Sequence, residues 1–202
     1  MKKKIWSSKT YDKFASLYDL ILGLFLPKKY RKIVVNYLIS GKVLDVACGT
    51  GELLKHAEKN GILCYGIDLS QGMIEQASKK VVKGKFKQAN YYEIPFEDNM
   101  FENVVSTYAL GGTKINVDKV LSEMIRVCKS NGQIIILDWQ EKQNMSLIDR
   151  LFVKIARLTE DAPKDFIGIF SKLGYNAKHV RLSNTYSIIK VTKSKARTLD
   201  TP

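Results

Sequence analysis

The chain has 202 residues, 45% hydrophobic and 26% charged, enough for one domain with a real core and outside the range of disordered, collagen-like or low-complexity chains. Its formal charge of +13 is unevenly spread, with +7 in residues 1–40, zero in 41–140 and +6 in 141–202. A neutral core with basic flanks is suited to an anionic partner, either a membrane surface or a nucleic acid, or simply to solubility.

Tyr11, Phe14, Ala15, Tyr18, Ile21, Leu22 and Phe25 fall on one helical stripe, while Leu17, Leu20 and Leu24 lie off it. Such a helix is too apolar for a single buried face. Lys28, Lys29, Arg31 and Lys32 follow at once, and apolar helix plus basic cluster is the composition of an interfacial membrane anchor. The same helix could instead lid a site and bury its leucines on the domain. The longest apolar run, Leu20–Leu26, has seven residues, against about 20 needed to span a bilayer. The Lys2–Lys4 start lacks the apolar stretch and cleavage site of a signal peptide. A cytoplasmic location is expected, with peripheral attachment to the inner membrane surface through residues 1–40.

Short β-type runs then alternate with helical patterns. Lys42–Ala47 reads as a strand, Glu52–Asn60 as a helix, Ile62–Asp68 as a strand and Gln71–Val82 as a helix. Strands follow at Phe86–Asn90, Asn103–Tyr108 and Gln133–Trp139. Before the last, Val117, Val120, Leu121, Met124, Ile125 and Cys128 form an amphipathic stripe. This alternation predicts an α/β fold, a parallel sheet with helices on both faces and a ligand crevice at the carboxyl ends of the strands. Ile148–Ala156 and Phe166–Leu173 read as further helices, the second capped by Gly174. His179–Leu182 and Thr185–Val191 suit an antiparallel pair at a sheet edge. Cys48, Cys64 and Cys128 show no CxxC spacing and only His56 and His179 accompany them, so neither a disulfide framework nor a metal site is expected.

The segment Val43–Gly51 is a hydrophobic strand that ends in a tight glycine turn and opens a helix. Gly49 and Gly51 let backbone approach a ligand where a Cβ would collide. Alone this is weak evidence, but the next strand ends in Asp68, 17 residues beyond Gly51, where a ribose diol would be held. A dinucleotide site would want a third glycine where Leu54 stands and no acid at Glu52. A nucleoside without phosphate would not be repelled.

These residues resemble the class I S-adenosylmethionine-dependent methyltransferases. Asp45–Gly51 (DVACGTG) resembles the family's first motif, with Ala47 in place of the commoner glycine. Gly66–Ser70 (GIDLS) resembles its ribose-binding acidic motif, and Asn90–Phe101 its third-strand motif, with Asn90 where aspartate is usual. Cys128–Gln133 resembles the turn before the fifth strand, without its proline. The resemblance implies a Rossmann-like sheet of seven strands, mostly parallel with the last antiparallel, preceded by an extra N-terminal helix. It divides the chain into a lid or docking segment 1–40, a methyltransferase domain 41–191 and a flexible tail 192–202. It places S-adenosyl-L-methionine against Asp45, Ala47, Gly49, Gly51, Asp68, Leu69, Asn90, Tyr91 and Thr107. Asp45 and the turn would line the methionine moiety, Asp68 would hold ribose, Leu69 would pack on adenine, and Thr107–Ala109 would border the methyl group.

For the acceptor, Thr107–Gly112 lacks the Asn/Asp-Pro-Pro-Tyr segment of amino-methylating DNA enzymes, and no RNA module is recognised; nucleic acid is not the expected partner. Tyr11–Asp19 is similar to the start of ubiquinone/menaquinone C-methyltransferases and of soluble bacterial phosphatidylethanolamine N-methyltransferases. That resemblance places Tyr11, Tyr18 and Tyr108 on the acceptor side. The basic flanks put a phospholipid amine first, a quinone or a small soluble metabolite second and RNA last. The acceptor expected is thus a lipid or small molecule.

Overall fold

The computed structural model describes residues 28–112, 114–139, 163–183 and 185–194. The front helix with Tyr11 and Tyr18, the stripe at 148–156 and the end of the tail lie outside the described residues. In chain order the elements are α1 Lys28–Asn36, β1 Lys42–Val46, α2 Glu52–Lys59, β2 Leu63–Asp68, α3 Gln71–Lys80 and β3 Lys85–Gln88. Then come β4 Phe101–Thr107, α4 Val117–Val127, β5 Cys128–Trp139, α5 Phe166–Lys172, β6 Ala177–Arg181 and β7 Tyr186–Thr192. They build a 7-stranded sheet in the order β3-β2-β1-β4-β5-β7-β6. Neighbours pair in parallel except β7, which is antiparallel to both β5 and β6. The expected Rossmann-like sheet with its last strand antiparallel is therefore present. β7 sits inside the sheet because Ile188, Ile189 and Val191 are buried, whereas β6 keeps Lys178, His179 and Arg181 exposed at the edge.

Strand alternation separates two apolar layers. Leu44, Val46, Val104, Ile134 and Ile136 pack against Val120, Leu121 and Met124 of α4 and Phe166 and Phe170 of α5. On the opposite face Val43, Val105, Ile135 and Leu137 meet Tyr30, Val34 and Val35 of α1 and Leu53, Leu54 and Ala57 of α2. Helix starts follow their caps: Ser70 Oγ accepts from Met73 N, Asn116 Oδ1 from Lys119 N and Asp165 Oδ1 from Gly168 N. Gly174, at φ 80°, ends α5 as its position predicted.

Two boundaries differ from the sequence reading. β3 stops at Gln88, so Asn90 and Tyr91 belong to the loop after it. β5 begins at Cys128 rather than Gln133, through a register irregularity opposite Phe101 and Asn103. Asn131 N donates to Lys193 O and Lys193 N to Gly132 O, so pairing with the segment after β7 holds the expected turn inside a bent strand.

Candidate active site

Strand order reverses between β1 and β4, and the crevice opens at their carboxyl ends. Asp45 and Thr107 are the last inward positions of these strands on the α1 face. Asp45 is 1% exposed, and its Oδ1 has no hydrogen-bond partner among the described residues. Burial pushes its carboxyl up to about 8, with the Arg31 charge opposing and the Asp68 charge adding to the rise. A buried acid in this condition is stable only beside something that supplies a donor or a positive charge.

The turn after β1 carries Ala47, Gly49 and Gly51 at φ 60°, 53° and 75°. A Cβ on Gly49 would meet nothing within 4 Å, so its bare backbone faces open space. A Cβ on Gly51 would come within 3.1 Å of Ala77 Cβ, so that glycine serves the packing of α2 on α3. Ala47 adopts a left-handed conformation that costs any residue with a Cβ about 1–2 kcal/mol, which is why glycine is the easier choice there. Cys48 is buried beside Gly66, and burial with the nearby Asp45 and Asp68 charges holds its thiol well above the ordinary range.

At the tip of β2, Asp68 Oδ2 accepts from Gly49 N and Oδ1 from Ser70 N, both at 2.9 Å. These two bonds hold the carboxylate between the β1 turn and α3, at the strand tip where a diol would meet it. Leu69 beside it is 54% exposed, an apolar face at the tip. Asn90 is exposed, and its Oδ1 already accepts from Tyr92 N at 3.0 Å. Tyr91 meets Tyr92 edge-on at 4.7 Å and packs on the α4 side of the core.

At the tip of β4, Thr107 Oγ1 accepts from Arg31 Nε at 3.4 Å, and the Arg31 guanidinium lies 4.9 Å from the centre of the Tyr108 ring. Tyr108 has φ 58°, and burial raises its phenol far above the range where it could act as a base. Its ring meets Tyr186 edge-on at 5.5 Å, and Tyr186 meets Tyr30 at 5.7 Å, so three tyrosines, from α1, the residue after β4 and β7, stand together on this side.

The structure thus gathers Asp45, Ala47, Gly49, Asp68, Leu69, Thr107 and Tyr108 around the crevice, with Asn90 and Tyr91 in the adjoining loop. Arg31 was missed as a site residue, because it was read as one charge of a basic run. A helical signal existed: Arg31 lies one turn before Val35, which is 5% exposed, whereas Lys32 lies one turn before exposed Asn36. Glu52, expected to repel a pyrophosphate, is not a bare charge. Glu52 pairs with Lys80 at 2.5 Å, and Lys80 also donates to Thr50 Oγ1 at 3.1 Å, so much of its charge is neutralised. Leu54, at the third-glycine place, is fully buried, so the helix packs there through a large side chain rather than a glycine.

Residues 44–136 match the model described as "Methyltransferase domain". A demethylmenaquinone methyltransferase of Thermotoga maritima is 32% identical over 146 residues, 68% of this chain and 63% of that protein. One of Symbiobacterium thermophilum is 26% identical over 196 residues, 82% of this chain and 77% of that protein. The chain thus spans less than two thirds of the Thermotoga protein's length. Among solved structures, magnesium protoporphyrin IX methyltransferase from Synechocystis, with bound S-adenosylhomocysteine, superposes with a TM-score of 0.66 at 19% identity over 83% of each chain. That last likeness is one of fold.

Proposed function

Residues 44–136 belong to the methyltransferase domain family of the S-adenosylmethionine-dependent class, and from that premise we propose that the chain methylates a ring carbon of a flat, lipophilic quinol-type acceptor. The observation that supports this reading is the half-buried Tyr108 ring at the Thr107 tip, backed by the buried rings of Tyr186 and Tyr30, an aromatic edge against which a flat ring can stack. The phospholipid amine placed first by the basic flanks gives way to the quinone reading, because the relatives described above are named for demethylmenaquinone.

The residues present fit the cofactor. An orphaned buried carboxylate oxygen at Asp45, open space over Gly49 and a pinned carboxylate at Asp68 suit an adenosine joined to a cationic amino-acid chain. When bound, S-adenosylmethionine supplies an electrophilic methyl group on a sulfonium, open to in-line displacement by a carbon nucleophile. The chain's own contribution is to orient and to exclude water. Asp68 and Gly49 hold the nucleoside end, Asp45 faces the cationic end, and Thr107 with the tyrosine wall sets the plane in which an acceptor lies. Tyr11 and Tyr18 are proposed to complete the acceptor side.

Attachment to an anionic membrane is the second part of the proposal. Burial, aided by the charges of Lys32, Lys59 and Lys55 and opposed by that of Glu52, lowers the basicity of His56, so lysines of α1 and α2 lie on the same side of the domain as that ring. No helix among the described residues is long and apolar enough to cross a membrane. Binding to vesicles of anionic lipid that weakens steeply with salt supports docking; indifference to such vesicles at low salt removes it.

The test of the acceptor is turnover of radiolabelled S-adenosylmethionine with a demethylated naphthoquinol, phosphatidylethanolamine vesicles and RNA in parallel. Label in the naphthoquinol is expected. Label in the phospholipid alone would reinstate the amine reading, and label in RNA alone would refute both.

A further inference from the structure

β3 closes one side of the sheet, and among the described residues it pairs with β2 alone. Ala89 N donates to Asp68 O, which sets the phase of the strand. Lys85 and Lys87 therefore aim their backbone groups at β2, and Phe86 and Gln88 aim theirs outward. An edge with unpaired N–H and C=O groups is a template for another strand.

A groove of about 710 Å³ follows this edge on the α4 face. Its floor is aromatic, with Tyr65 and Phe96 meeting edge-on at 5.8 Å. Its far wall is the segment from Ile94 to Glu97, which Arg126 pins by donating to Ile94 O, Phe96 O, Asp98 and Glu123. Those bonds use all five guanidinium N–H groups, so the wall is fixed and Arg126 has nothing left to offer a ligand. The near rim is β3 itself. Lys85 and Lys87 stand there in register with Tyr65 and Ile67, whereas Phe86 turns to the opposite face. Lys85 Nζ lies 5.6 Å from the centre of the Tyr65 ring and Lys87 Nζ 4.6 Å from that of Phe96, both on exposed residues. Lys87 donates to Pro95 O at 3.1 Å and keeps two protons; Lys85 makes no hydrogen bond among the described residues. An ammonium over a ring at an exposed site is weakly held, and a carboxylate is the stronger partner.

We propose that this edge docks a partner protein through an extended segment that adds to the sheet as an eighth strand, with acidic side chains on its groove side. Backbone pairing with Phe86 and Gln88 aligns the segment, and its alternate residues fall beside Lys85 and Lys87, where carboxylates make cross-strand ion pairs while their methylenes cover the rings. A second copy of this chain fits badly, because it would set Lys85 and Lys87 against themselves. A nucleic acid fits badly too, since the exposed carboxylates of Glu97 and Asp98 at the far wall would oppose its phosphates. Because β3 runs into the loop of Asn90 and Tyr91, a docked strand also braces that loop beside the crevice.

The probe is a fluorescent peptide of sequence Thr-Glu-Val-Glu-Val-Glu-Thr, titrated into the full chain while amide hydrogen exchange is followed residue by residue. Binding should slow exchange at Phe86 and Gln88 by about tenfold or more, and leave Ala89 unchanged, whose amide already bonds Asp68 O. Reversal of both charges in Lys85→Glu/Lys87→Glu should weaken the peptide by about tenfold or more. The variant should instead take the same peptide with lysine in place of glutamate, which also certifies its folding. Failure of the acidic peptide to bind the parent overturns the docking site, as does binding that leaves Phe86 and Gln88 unprotected or ignores the charge reversal. If both amides are already protected without peptide, the edge is filled by the chain itself or by a second copy, which sedimentation distinguishes, and the proposal falls either way. A single-stranded oligoribonucleotide that binds this edge more tightly than the peptide also overturns it.

Discussion

The two ends of the central strands carry polar networks of opposite character. At the amino-terminal end, Asn103 Nδ2 donates to Ile39 O and its Oδ1 accepts from Ile39 N and from Gln133 Nε2, which also donates to Tyr37 O. Glu102 accepts from Lys42 N and from Lys129. Burial would raise the Glu102 carboxyl, but those hydrogen bonds outweigh it and hold it below its ordinary range. At the carboxyl-terminal end, Asp45 has an oxygen without a hydrogen-bond partner among the described residues, and burial shifts its carboxyl upward against the opposing charge of Arg31. The same sheet therefore holds two carboxylates with opposite shifts. A completed network ties the loop after α1 to the strands; an incomplete one leaves room for a ligand.

The largest effect that would break this contrast is at Asp68. Asp68→Ala removes the ribose carboxylate and frees Gly49 N and Ser70 N, and should weaken S-adenosylhomocysteine by at least about 100-fold in calorimetry, from two charge-assisted bonds at roughly 1.5–3 kcal/mol each. Equal affinity in the variant would remove the site altogether. Asn103→Leu should do the reverse. Leaving buried partners at Ile39 and Gln133 unpaired costs about 2–4 kcal/mol of unfolding free energy, read by urea titration, while ligand affinity of the folded protein changes less than twofold.

Asp45→Asn should move stability and binding in opposite directions. The folded carboxyl titrates near 8 and the unfolded one near 4. Between these values the folded state holds a proton that the unfolded state has released, so the stability of the ligand-free protein falls as pH rises, by up to about 1.4 kcal/mol per pH unit from this group. The slope levels off above the folded value. Asp45→Asn should flatten that dependence and raise stability at pH 8, yet weaken S-adenosylhomocysteine. A variant less stable at pH 8 than its parent would place Asp45 among completed structural polar groups. The smallest effect belongs to Asn90→Asp, which adds charge at an exposed position and should change affinity by less than about fivefold.

Much of this was legible in the chain itself. Apolar β-type runs and the 3.6-residue helical period placed the strands and helices from Lys42 to Trp139, apart from the early start of β5 at Cys128, because the central strands are buried on both faces and the helices on one. Asp68 was legible because a carboxylate after an apolar strand has few structural uses. Arg31 was not, since a basic run looks the same whether its members face solvent or a crevice, and only the burial of Tyr30, Val34 and Val35 turns Arg31 inward while Lys29 and Lys32 stay exposed. Glu52 was misjudged for a related reason: its partner Lys80 lies 28 positions away.

Local pattern determined the architecture and the nucleoside half of the site, whose groups sit on adjacent strand tips set by alternation and tight turns. Tertiary structure decided the rest. Whether a charge is paired or left waiting depends on what long-range packing brings beside it, and the separation of Arg31 from Asp45 is fixed by a helix docked across the sheet, which no neighbour in sequence specifies.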